Sequence, residues 1–255
     1  MTPFCGFAYV QARAQARVGQ LLGEQQWLHL AAARGLSAYL EEARTTALRP
    51  WVMGFSSASD SHDIERGIRA QFRATVVEAA GWVQRDWRPA VHWVAWLPEL
   101  PLLQLLLGGQ RIPWWVARDR HLSGYLERSG QVARAGIEQA GGSPLVAAWE
   151  RGEPLDAAWL SHWRTRLPRC TRQTTRSLEQ LTELLARHAR DFRSLQPAQT
   201  RAARRELRER LQHLFHRCLL QPTGLFSYLG LVACDLERLR GALVRRVLFS
   251  AEASL

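Results

Sequence analysis

Apolar residues return every three or four positions over six long stretches of this chain, the spacing that covers one face of an α-helix. The stretches are 9–22, 27–47, 64–83, 178–193, 201–220 and 225–248. No sustained period of two appears between hairpin-type turns, so the expected strand content is near zero. Breaks fall at SSASDS (56–61), GGQRIP (108–113), GGSP (141–144), QPAQ (196–199) and QPTG (221–224), where glycine, proline and serine supply turn chemistry. Within 201–220, Leu207, Leu211, Leu214, Phe215 and Cys218 form one stripe. Arg201, Arg204, Arg205 and Arg208 fall largely elsewhere, with Thr200 as the expected N-cap.

The stretch WLPELPLLQLLLGG (96–109) carries seven leucines and a tryptophan. Its prolines predict two short helices meeting at a corner: Pro89 opens the first, Pro98 ends it, Pro101 opens the second, and Gly108 with Gly109 closes it. A bilayer span needs about 20 mostly apolar residues in a row. His92, Pro98, Glu99, Pro101 and Gln104 interrupt this run, so it reads as core, with Trp93, Trp96 and Leu97 on one face of the first piece and leucines around most of the second.

The chain has 255 residues, 47% hydrophobic and 22% charged, a balance that supports a real core and not a disordered chain. All 34 basic residues are arginine, which removes any mechanism that needs lysine. The net charge of +11 is concentrated: residues 161–220 hold 14 arginines against five acidic residues, while residues 1–160 hold 16 against 15. Such a block is either a solvated helix face or a surface for an acidic protein, nucleic acid or an anionic membrane. The pairs Arg205 with Glu209 and Glu206 with Arg210 are too weak to neutralise it, so the charge is expected to stay exposed. Four cysteines without CxxC spacing fit a reduced compartment, and the opening residues lack the charged and apolar regions of a signal peptide, so none is expected.

Candidate chemistry is sparse. His213, His216 and Cys218 sit near one another on one predicted helix, but no fourth ligand is spaced to complete a tetrahedron, so no metal site is expected. The loop SSASDSHDIE (56–65) combines Ser, His and Asp, yet Asp60 or Ser61 as N-cap and Asp63 and Glu65 near the positive helix end account for the same residues. No phosphate-binding glycine loop, HExxH or GxSxG is present, so neither a catalytic residue nor a cofactor site is assigned. The Trp residues lie mostly outside the basic block, which leaves nucleic-acid binding only as phosphate contact and not base stacking. An echo joins GLSAYLEE (35–42), HLSGYLER (121–128) and GLFSYLGL (224–231) through Tyr39, Tyr125 and Tyr228, and a repeat would imply stacked helical units.

The two ends of the chain carry a family likeness. YVQARAQARVGQLL (9–22), LSAYLEEARTTALRPW (36–51) and DIERGIR (63–69), with the closing GLFSYLGLVACDLERLRGALVRR (224–246), resemble a family of central-stalk proteins from V/A-type rotary ATPases, called C in bacteria and archaea and d in eukaryotes. Arg238 stands where the family has Asn, and Ala47 near the place of its Tyr. The resemblance implies an all-α, funnel-like central-stalk subunit with pseudo-threefold lobes, here 1–55 with 225–255, 56–140 and 141–224, in a chain short for the family. It implies a non-enzymatic role without cofactors, coupling the membrane proteolipid ring to the shaft subunits of the ATPase head in ion transport. The expected location is cytoplasmic, peripheral on the inner face of the cell membrane. Candidate partner-binding residues are Arg13, Glu65, Asp235, Glu237 and Arg240 from the motif stretches, with Arg201, Arg204, Arg205 and Arg208 from the basic block. The alternatives are a basic helical nucleic-acid-binding protein or a helical enzyme with an unrecognised site.

Overall fold

The computed structural model describes residues 5–127 and 130–250, and over them the protein is all-α, with one isolated bridge between Leu126 and Val132. The helices are α1 (Cys5–Val18), α2 (Glu24–Ala32), α3 (Leu36–Arg44), α4 (Arg49–Val52), α5 (Ser61–Trp82), α6 (Arg88–Trp93) and α7 (Leu100–Leu107). They are followed by α8 (Trp114–Arg118), α9 (Arg134–Ile137), α10 (Ser143–Glu150), α11 (Leu155–Thr165), α12 (Arg172–Ser194), α13 (Thr200–Arg217) and α14 (Pro222–Ser250).

Helix α14 is the hub. It packs against α13, α5, α1, α12 and α3, and buries Leu225, Leu229, Val232, Leu236, Leu239 and Leu243 along its length. Helices α13 and α14 approach closely because position 230 is glycine: a Cβ there would stand 2.9 Å from the Leu211 side chain. Helix α5 begins as expected, with the Asp60 carboxylate accepting from the backbone N–H of His62 and Asp63 and the Asp63 side chain returning to the Asp60 N–H.

Three local expectations are corrected. The single helix expected over 27–47 is two, α2 and α3: α2 ends where Ala33 turns extended, and Gly35, at a positive φ of 74° that glycine takes without strain, leads the chain into α3. Thr200 is the first residue of α13 and not its cap; Gln199 occupies the cap position without a side-chain hydrogen bond to the helix. The echo stretches take three conformations, an α-helix at α3, a 3-10 turn at Ser123–Tyr125 and the interior of α14, although Tyr39, Tyr125 and Tyr228 are each buried.

The proline-rich corner is built much as expected: α6, then a 3-10 turn Val94–Glu99 that contains Pro98, then α7. Trp93, Leu102, Leu103 and Leu106 are buried and Trp96, Leu97, Leu105 and Leu107 half-buried. Trp93 and Trp159 of α11 exchange indole N–H to carbonyl bonds of 3.0 and 3.1 Å, which satisfies both ring nitrogens in the interior. As one helical run, Arg85–Leu107 is long and apolar enough to cross a membrane by length and composition alone, and half of that window is buried in the fold.

Candidate functional site

Helices α5, α13 and α14 bring charged residues from distant parts of the sequence into one seam. Asp235 of α14 is buried, 1% exposed, and receives Nε and Nη2 of Arg208 at 2.6 and 3.3 Å. Arg208 also donates to the carbonyl of Leu22 at 3.1 Å. Burial opposes the Arg208 charge, but the hydrogen bond and attraction of Asp235 outweigh it and raise the guanidinium pKa. Burial raises the Asp235 carboxyl above its ordinary value and Arg208 only partly offsets this; the two-point contact has the geometry of an arginine–carboxylate ion pair.

Two residues along α14, Glu237 receives both Nε and Nη2 of Arg240 at 2.7 Å, and Arg204 of α13 at 3.2 Å. Arg240 reaches in turn to Glu65 of α5 at 2.5 Å. Its pKa is raised, chiefly by the hydrogen bond to Glu237. Arg13 of α1 lies elsewhere, paired with Glu78 at 3.1 Å and packed 5.3 Å over the Trp82 ring. Of the nine candidate residues the structure therefore gathers Glu65, Arg204, Arg208, Asp235, Glu237 and Arg240, and leaves Arg13 apart and Arg201 and Arg205 exposed on the outer side of α13.

This corrects the expectation that the arginines of α13 stay wholly exposed. Positions 204, 208, 211 and 215 recur at helical spacing; Arg208 is half-buried against Asp235, whereas Arg204 meets Glu237 while staying exposed. The expected Glu206–Arg210 pair is present at 2.5 Å. His213 and His216 are exposed whereas Cys218 is buried, so the three do not share a face, and no group of three potential ligands occurs among the described residues.

Beside the seam is a cavity of 620 Å³, within the range of small-molecule sites. Its walls come from α5, the proline corner, α11, the second half of α12, α13 and α14. Leu185, His188, Ala189 and Phe192, on the inner stripe of α12, are only half-buried because they face this space. Glu65, Arg204, Glu237 and Arg240 lie in its lining, with Arg69. Cys234, also in the lining, has its thiol pushed up to about 12 by burial, so it is held neutral. Burial lowers His188 below the ordinary histidine value, and Arg204 lowers it further.

Sequence reasoning missed several contacts that close the fold over long separations. Arg238 grips Glu24 at 2.6 and 3.0 Å and lies 4.7 Å over the Trp27 ring. Arg246 donates to the carbonyls of Leu30, Ala31 and Ala33 where α2 ends, and covers the Tyr39 ring at 4.1 Å. Glu99, 2% exposed inside the proline corner, is paired with Arg73 at 2.5 Å. Only Glu99 carried a sequence signal, a charge inside an apolar run. Comparison with protein-family models, curated proteins and solved structures finds no match to this chain.

Proposed function

We propose that the protein is a non-catalytic central-stalk subunit of a V/A-type rotary ATPase, coupling the membrane proteolipid ring to the shaft of the ATPase head. The observation that carries the reading is a meeting of motif residues. Glu65 of DIERGIR and Glu237 and Arg240 of CDLERLR, which hold the resemblance at opposite ends of the chain, join through Arg240 across the α5–α14 contact. The stretches that look like one family therefore also form one structural unit.

A part that transmits torque must resist bending. Helix α14, with 29 residues, spans about 43 Å and is tied to α2, α5 and α13 by ion pairs and to the α2–α3 corner by Arg246. The exposed arginines of α12 and α13, among them Arg172, Arg176, Arg187, Arg190, Arg201 and Arg205, offer a charged face for acidic surfaces of the ring or shaft or for anionic head groups. On this reading the protein works on the cytoplasmic side of the cell membrane, held there by its complex.

The test is recovery of the tagged protein from its native membranes in mild detergent, with co-purifying chains identified by mass spectrometry. The expected result is proteolipid-ring and shaft or head subunits, and the double variant Arg187→Glu with Arg190→Glu, at exposed positions of α12, should reduce their recovery without changing the melting temperature. Recovery of nucleic acid or unrelated soluble proteins alone would overturn the proposal.

A further inference from the structure

A second pocket, of 240 Å³, lies between the end of α1, the 47–51 segment, α5 and α14. Tyr228 of α14 stands in its wall and is 3% exposed. Its hydroxyl makes no hydrogen bond among the described residues. The Tyr39 hydroxyl, equally unbonded, is sealed in the interior, whereas that of Tyr228 is open to the pocket. A buried tyrosine ordinarily finds a partner for its hydroxyl, because one left unbonded forfeits what water would supply. Burial pushes this phenol up to about 12, with Glu78 adding to the rise and Arg17 and Arg13 opposing it. The group therefore stays protonated, able to donate, and lies in the field of those charges.

Gln71, Ala74, Thr75 and Glu78 recur at helical spacing and turn one stripe of α5 to the same space. Arg13 and Arg17 both donate to Oε1 of Glu78, at 3.1 and 2.7 Å, so the carboxylate keeps acceptor capacity at Oε2. The Gln71 amide is half-buried and makes no side-chain hydrogen bond among the described residues. Arg17 and Glu78, the charged residues of the lining, are paired with each other, so the wall favours an uncharged ligand. Leu21, Leu48, Trp51 and Val232 supply apolar surface. The volume lies below the ~300–1,000 Å³ of drug-sized sites, which limits the occupant to one or two small rings. A donor near an acceptor between apolar walls matches a flat ring that carries N–H beside C=O or beside a bare ring nitrogen.

We infer that this pocket binds an uncharged planar heterocycle of the purine or pyrimidine base class, which accepts from the Tyr228 hydroxyl and donates to the Glu78 carboxylate, with the Gln71 amide beside that edge. The site stands apart from the charged seam and is independent of the rotary assignment, since Tyr228 and the pocket wall alone define it.

The test is titration of the full chain by saturation-transfer NMR with uracil, hypoxanthine and adenine. Each is set against a methylated partner that lacks the donating N–H: 1,3-dimethyluracil, 1-methylhypoxanthine and N6,N6-dimethyladenine. Saturable binding of at least one base is expected, with its methylated partner at least about tenfold weaker. Preference for uracil or hypoxanthine identifies a C=O beside the N–H, and preference for adenine a bare ring nitrogen. Tyr228→Phe removes only the unbonded hydroxyl and should weaken the base about fivefold without lowering the melting temperature of the free protein. Ala74→Trp, at an exposed position of the rim, should block the pocket and abolish binding. No saturable binding up to the solubility of each base, equal binding of base and methylated partner, or an affinity unchanged by Tyr228→Phe would each overturn the inference. If Tyr228→Phe does not fold, the methylated partners and Ala74→Trp decide it.

Discussion

The seam between α13 and α14 and the wall made by the second half of α12 are both amphipathic surfaces bearing arginines, but they are closed to different degrees. In the seam Leu211, Leu214, Leu239 and Leu243 are buried and Arg208 has its buried carboxylate. On the wall Leu185, His188 and Phe192 are half-buried and look into open space. Equal helical patterning therefore produces unequal burial, and the side left open is where a ligand has something to gain.

The strongest way to break the closed side is Asp235→Ala. It leaves the half-buried Arg208 without its counter-charge, and a loss of about 3 kcal/mol in unfolding free energy is expected from urea denaturation. Truncating leucines tests the comparison directly: Leu239→Ala, at a position with no exposure, should cost about 3 kcal/mol, and Leu185→Ala on the cavity wall about 1. Similar losses for the two would mean that the wall is as tightly packed as the seam.

Acidification probes the open side more gently. His188, His121 and His162 are all held below the ordinary histidine value of 6.5, in each case chiefly by burial. The folded protein binds fewer protons than the unfolded chain between the lowered values and 6.5, so their contribution is present above pH 6.5 and is lost as the pH falls below it. Melting temperature should drop between pH 7 and pH 5, and His188→Gln should flatten that drop. An unchanged slope in the variant would show that His188 has no part in it.

The smallest effect concerns the turn that joins α13 to α14. Leu220 has a left-handed φ of 58°, a conformation unfavourable for a side chain with a Cβ. Leu220→Gly removes that strain but gives the unfolded chain more freedom, so a net gain of about 0.5 kcal/mol is expected in thermal unfolding. A loss would show that the half-exposed leucine contributes more by packing than its backbone costs.

The helices are legible in the sequence because their signals are local. The Asp60 cap, the six periodic stretches and the glycine and proline breaks each lie within a few residues of what they determine. The break at Gly35 is hidden because 27–47 keeps helical spacing on both sides of it, and only the positive φ reveals the turn. The candidate site is half legible: motif stretches point to Glu65, Asp235, Glu237 and Arg240, but not to their pairing with one another or with Arg204 and Arg208. The burial of Arg69 against Asp119 is not legible at all, since in sequence it is one arginine among 34.

By itself, then, the sequence determined the all-α class, most helix positions and the strongly basic stretch, because periodicity, capping and charge are properties of neighbouring residues. Tertiary structure alone decided which arginines meet acids, which leucines are covered and where the cavity stands. Those outcomes depend on contacts such as Glu24 with Arg238, separated by 214 residues, and on a close approach that one glycine at position 230 permits. Such contacts form only when the helices pack, and no window of sequence contains both partners.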